Sequence, residues 1–498
     1  MFKCSLLSYC ALFVIFSCHA EEHSHAEAQD DKGEKEKDAK EKQEGIVLRA
    51  EKDGMPDFNI FGAATVSLNH VSSNITYYNG ENKPDQIKTD QKSTSETSKD
   101  STKMRIVGGC TDIGFSAKGS LPNGWAYGAT ISLDAERGNT GVDRMYLSAE
   151  RNNVGTFHVG NVRGADSVFA FDGQRLMGGL CGADGSFPFD LDYSTGVISP
   201  CYVIGFTNKA TKASYFTPTI MGFQAGISIT PDTKHIGTMA KDSGSGDSTP
   251  GNDPGLFIKG DNDKERPSGR NNIAFGFSHA WDFNNGWKTN FGAIFVTEDS
   301  KPIETNCYVG EIVGKKDAVG KDGDANYQKE VEASAPVARK IKLRNAGAFH
   351  LSGTVTYKDW SFGAGFINNG KSRLPTGEMY TDGGKDVIPG GFLVAKDGNA
   401  GHAWNIGTKY VFEQWTFAAV FHKTSRKVTA NQKANSTILS FSAEYQFCPG
   451  LKVFCELDNI VTHSCDYACA VYNLVHAKKD AIQKQSAFFV AVGAKVTF

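Results

Sequence analysis

Beyond its first twenty residues the chain has no run of the ~18 or more apolar residues that a membrane-spanning helix requires, so helical spans are excluded. It has no basic excess either. A net charge of −3 and a pI near 6.5 argue against a nucleic-acid partner. Metal-ligand spacing is missing: eleven cysteines form no CxxC, and no HxxxH occurs outside His19–His23. There is no nucleophile elbow, P-loop or zinc-protease helix, which removes the enzyme classes that carry such signatures. The reading is therefore of a protein that is not an enzyme and uses no cofactor and no metal.

The start reads as an export signal over residues 1–20: Lys3, an apolar core from Leu6 to Phe16, and the small-residue site Cys18-His19-Ala20. Export makes disulfides permissible for the eight cysteines after residue 20. Cys181 with Cys201 is one candidate pair and Cys465 with Cys469 another, and sequence alone does not fix the pairing. Residues 21–56 are dense in Glu, Asp and Lys, with little apolar material to bury, and read as a disordered periplasmic extension.

A mean hydropathy of −0.35 is what a soluble protein shows. It is also what a membrane barrel shows, because only every second residue of each strand need be apolar. The periodicity decides between them. At the end of the sequence, Phe488, Val490, Val492, Ala494, Val496 and Phe498 fall on one face of a strand. The other face is small or polar, with Phe489 as the exception. The same two-residue period recurs over residues 57–498 in sixteen segments, joined by seven tight turns and eight longer loops in strict alternation. Asn123-Gly124, Asn285-Gly286 and Pro449-Gly450 supply hairpin chemistry for the tight turns. Trp125, Trp281, Trp287, Trp360 and Trp415 flank tight turns, the placement of an interfacial aromatic girdle. In lipid every backbone group must be paired, so such strands have to close. The expected fold is all-β: a transmembrane antiparallel β-barrel of sixteen strands, with short turns at one end and long loops at the other. A barrel of that size is too wide for side chains to fill.

Four stretches resemble the general (diffusion) porins of Gram-negative bacteria. They are Val142-Asp143-Arg144-Met145-Tyr146-Leu147-Ser148, Gly155-Thr156-Phe157-His158-Val159-Gly160-Asn161, Ser214-Tyr215-Phe216-Thr217-Pro218 leading to Gly222-Phe223-Gln224-Ala225-Gly226, and the last strand. The resemblance implies a water-filled outer-membrane channel for passive diffusion of small hydrophilic solutes and ions. It implies long extracellular loops, short periplasmic turns and a homotrimer set among outer-membrane lipid and lipopolysaccharide. Phe498 and Val496 would be read by the barrel-assembly machinery. It further implies that the third loop, Gly164–Thr211, folds into the lumen as a constriction. Acidic loop residues would then face basic wall residues. The loop candidates are Asp166, Asp172, Arg175, Asp184, Asp190 and Asp192, with Lys209 as a second cation; the wall candidates are Arg144, Arg105 and Arg163. The acidic excess of the loop predicts a weak preference for cations. A substrate-specific channel, and a surface adhesin or structural barrel with a plugged lumen, are the alternatives on the same fold.

Overall fold

The computed structural model describes residues 46–48, 56–79, 94–106, 111–134, 141–184, 203–232, 269–300, 303–307, 337–374, 381–382, 385–386, 398–427, 433–463 and 480–498, except 208 and 284. The expected signal, most of the charged extension, Asp190, Asp192 and Cys201 lie outside the described residues, as do the side chains of Arg105 and Asp184.

Sixteen strands form one closed antiparallel barrel among the described residues. They are β1 Asp57–Asn79, β2 in two pieces (Thr94–Ile106 and Asp112–Ser120), β3 Ala126–Asp134, β4 Gly141–Arg151, β5 Gly155–Asn161, β6 Thr211–Phe216, β7 Phe223–Asp232 and β8 Gly269–Asp282. The circuit continues with β9 Trp287–Ser300, β10 Ala346–Tyr357, β11 Trp360–Asn368, β12 His402–Phe412, β13 Trp415–Lys427, β14 Lys433–Cys448, β15 Leu451–His463 and β16 Asp480–Thr497. Each strand pairs with the next in sequence. Closure comes from β1 against β16, in register from Ala63 opposite Thr497 to Asn79 opposite Asp480. Phe498 adds the final rung: its N–H donates to the Gly62 carbonyl at 3.0 Å, and Gly62 N–H donates back at 2.8 Å.

The outward phase is apolar and exposed, as lipid contact requires. Leu147 on β4, Val159 on β5 and Ile406 on β12 are 65%, 58% and 56% exposed, and Val496 and Phe498 lie open on the same surface. Aromatic rings gather at the short-turn end. Trp287 stacks on Tyr357 at 4.5 Å between ring centroids, Trp360 on Tyr410 at 4.5 Å, and Trp415 packs on Tyr445 at 4.8 Å. Such pairs contribute about 0.5–1.5 kcal/mol beyond their burial. Gly124, Gly286 and Gly450 adopt φ of +82°, +87° and +83°, the left-handed position that short hairpin loops give to glycine.

The strands match the sequence periodicity closely, with two corrections. Ile46–Leu48, inside the extension expected to be disordered, is a short strand paired with Phe58–Ile60 of β1. The polar stretch Asn74–Thr102, expected as loop, is strand at both ends: Asn74 pairs with Ser98 and Tyr78 with Thr94. Thr94–Thr102 is polar throughout, so no alternation marks that half of the pairing.

Candidate functional site

The connection from β5 to β6 turns inward and runs along the inner wall. It opens with a one-turn helix, Ala165–Val168, followed by 3-10 turns at Gly173–Leu176 and Gly182–Asp184. Its contacts follow the strands in order. Ala165 N–H donates to Ser228 Oγ of β7 at 2.7 Å. Phe171 N–H donates to Ser352 Oγ of β10 at 2.9 Å, and Gly173 N–H to Asn405 Oδ1 of β12 at 2.8 Å. Gln174 joins His422 of β13 through its side-chain oxygen. The tip then spends its backbone donors on β14 and β15. Gly178 N–H donates to Ser442 Oγ at 3.2 Å, Gly179 N–H to Glu444 Oε1 at 2.8 Å, and Leu180 and Gly182 N–H to the two oxygens of Glu456 at 2.6 and 3.1 Å. A loop buried inside a barrel has no regular ladder to satisfy its backbone, and these wall side chains take that role.

Small residues let the loop approach so closely. A Cβ on Gly276 would overlap the Phe169 ring, one on Gly292 the Phe169 carbonyl, and one on Gly407 the Gly173 backbone. Apolar inward residues then seal two patches. Phe169, Val203 and Phe206 pack with Ala274, Ile294, Val296, Ala348 and Ile367. Leu180 packs with Val71, Ile438, Phe454 and Phe489. The return segment is tied as well: Ile204 N–H donates to Asn369 Oδ1 and Asn272 Nδ2 to the Gly205 carbonyl, both at 2.8 Å.

The structure places the candidate charges unevenly. Asp166 is 4% exposed, and its Oδ2 accepts the Thr207 N–H at 2.7 Å and the Thr207 hydroxyl at 2.6 Å. Lys212 Nζ lies 3.7 Å from its other oxygen. Asp166 thus ties the two feet of the loop together instead of facing solutes. Asp172 is also buried. Its Oδ1 caps the Arg175 N–H at 3.2 Å and its Oδ2 lies 3.3 Å from His350 Nε2. Burial alone would push the Asp172 carboxyl up. The hydrogen bond with His350 and the charges of His350, Arg175 and His422 outweigh it and hold the group below the ordinary carboxylate value. Two of the acids expected to line a constriction are therefore corrected to anchors, because each finds a buried partner that sequence spacing does not reveal.

Arg175 is exposed while Gly173, Gln174 and Leu176 beside it are buried against the wall, so it points to the lumen. Arg144 lies on the inward phase of β4, opposite Ser132, with its side chain 34% exposed and its Nε 3.3 Å from Asp143. Lys209, at the loop's foot, pairs with the same Asp143. Arg163 is exposed just past β5. Cys181 is half-buried, and its carbonyl accepts from Gln174. The wall acceptors Glu444 and Glu456, the wall histidines His350 and His422, and the close-approach glycines were absent from the sequence candidates. The available signal was their phase: Glu456 and Asp458 both fall on the inward face of β15.

A family model described as Gram-negative porin matches residues 25–462. An uncharacterized protein of Rickettsia typhi is 28% identical over 260 residues, covering 51% of this chain and 51% of its own length. One of Rickettsia prowazekii is 27% identical over 275 residues, again covering 51% of each. The chain thus spans about half the length of the curated relatives it matches. Among solved structures, outer-membrane expressed OmpT of Vibrio cholerae aligns at 11% identity and TM-score 0.48, covering 91% of this chain and 100% of that one. OmpF of Salmonella typhi, in complex with daunomycin, aligns at 12% identity and TM-score 0.45, covering 91% and 100%.

Proposed function

The chain belongs to the Gram-negative porin family, its barrel resides in the outer membrane, and on that premise we propose that it forms a water-filled channel for passive diffusion of small hydrophilic solutes and ions. The observation that carries this reading is the placement of the β5–β6 loop. It is held to the inner wall from β7 round to β15. On the facing wall, the inward Arg144, Tyr146 and Ser148 stay half-exposed and Glu150 exposed. A loop that hugs one wall narrows a pore without filling it, which is the geometry of a sieve. The described part of the loop offers the exposed Arg175 as lumenal charge, and Arg144 and Lys209 stand at Asp143 on the wall and at the loop's foot. Asp184, Asp190 and Asp192 stay candidates for the acidic side of the constriction, and Arg105 and Arg163 for the wall.

The same reading makes residues 1–20 an export signal and residues 21–56 a periplasmic extension. The last strand, with Val496 and Phe498, is the segment that the assembly machinery would engage. The working unit is a homotrimer, in contact with lipid and lipopolysaccharide. No catalytic step is assigned to it.

Liposome swelling with sugars of increasing size tests the proposal. Diffusion through a sieve gives rates that fall smoothly with solute size. A single solute entering far out of line would replace this reading with a substrate-specific channel. Absence of swelling from a folded, heat-modifiable protein would mean a plugged barrel.

A further inference from the structure

Among the described side chains, the solvent-facing charges of the inner wall do not cancel. Toward the short-turn end, the inward phase carries Lys118, Lys288, Lys409, Lys452 and Lys495. The phase of each follows from its neighbours. Lys409 is two residues from Gly407, on which the loop rests; Lys452 is two residues from the buried Phe454; Lys495 is two residues from Gly493, which abuts the Phe454 ring. Three of the five lysines have an acid at hand. Asp282 lies 3.2 Å from Lys288, Glu444 lies 3.6 Å from Lys452, and Asp57 stands opposite Lys118 in register. Among the described residues Lys409 and Lys495 have no ion-pair partner, and Glu150 on the far wall is the unmatched acid. Lys495 also sits directly opposite Lys452 across β15 and β16. Like charges in direct cross-strand register destabilise a sheet, so this pair costs stability unless anions visit it.

The level of the loop repeats the imbalance. Arg144 and Lys209 share Asp143, and Arg175, whose charge also acts on the buried Asp172, is exposed on the loop. Against them stands Asp112, half-exposed on the inward phase of β2. Among the described side chains, four acids of the loop and its wall are out of reach of solutes: Asp166, Asp172, Glu456 and Asp458 are all buried, and Glu456 has both oxygens on loop N–H groups.

We propose that this pore prefers anions, with the Lys409, Lys452 and Lys495 group at its periplasmic mouth and the Arg144, Lys209 and Arg175 group at the loop setting the preference. The inference rests on the channel reading above and reverses the cation preference that the loop's composition suggests. Charges that face water act by raising the local concentration of counter-ions in the passage.

The test is the zero-current potential of the purified full chain in a planar bilayer under a potassium chloride gradient. The expected sign is that of chloride passing more readily than potassium. The preference should fade as salt rises, because the screening length shrinks from about 10 Å at 0.1 M to about 3 Å at 1 M. In K409Q/K495Q the permeability ratio should move toward one, and in K495E further toward potassium. Heat-modifiable mobility in a gel checks that each variant is a folded barrel. A potassium-favouring potential from the unaltered pore overturns the proposal. An unchanged ratio in K409Q/K495Q overturns the assignment to the mouth lysines. Absence of any conducting step would overturn the channel reading and this inference with it, whereas a wrong sign across steps that do open overturns this inference alone.

Discussion

The Glu456 carboxylate, projecting inward from β15, accepts the Leu180 N–H at 2.6 Å and so fastens the tip of the inward loop to the barrel wall. The Gly182 N–H takes the second carboxylate oxygen at 3.1 Å. Both partners are buried, so the bonds are not shared with water. A hydrogen bond contributes about 0.5–1.5 kcal/mol net, and a buried donor left without a partner costs about 1–3 kcal/mol.

Replacing Glu456 by Ala should therefore release the tip from the wall. Single-channel recording should show a noisier open level than the unaltered protein, with frequent transitions. A quiet level of unaltered size would mean that Glu456 does not hold the loop.

Phe489 supplies the apolar half of the same seat. It is 2% exposed, packed with Leu180, Val71 and Phe454 on the inner face of β16. Phe489→Ala removes about 3–5 kcal/mol of packing. The expected result is a lower heat-modification temperature together with the noise of the Glu456 variant. Loss of barrel stability with a silent, steady channel would separate Phe489 from the loop.

That residue also shows what the sequence made legible and what it hid. The sixteen strands could be read because lipid imposes an apolar outward phase that needs no knowledge of partners. Phe489 broke the pattern of its strand, and the break marked an inward apolar contact whose partner, Leu180, lies far away in sequence. Asp166 and Asp172 were candidates for the acidic side of the constriction. Their burial depends on Lys212, Thr207 and His350, which only the folded loop brings near. The first hairpin was read too short because Thr94–Thr102 is polar throughout and shows no alternation.

The close approach of loop and wall gives a steric test. A Cβ at Gly292 has no room beside the Phe169 carbonyl. Gly292→Ala should push the start of the loop toward the lumen and lower conductance, while the barrel still shifts on heating in a gel. Conductance equal to that of the unaltered protein would show that the loop does not lie on Gly292 in the membrane.

Asp172 gives a pH test with a definite sign. Its folded value is held below the ordinary one of about 3.9. The seating it provides is thus present above that ordinary value and is lost only as pH falls through the lowered one. The open level should show no Asp172-dependent change between pH 7 and pH 5, and Asp172→Asn should produce the unseated behaviour already at pH 7. A transition between pH 7 and pH 5 that Asp172→Asn abolishes would contradict this assignment.

The central claim, an open channel narrowed by a loop on its wall, is tested most directly by single-channel conductance of the purified protein in a planar bilayer. The account predicts discrete steps in groups of three, with conductance rising in proportion to bulk salt conductivity. A folded, heat-modifiable barrel that inserts and yet carries no current would contradict it.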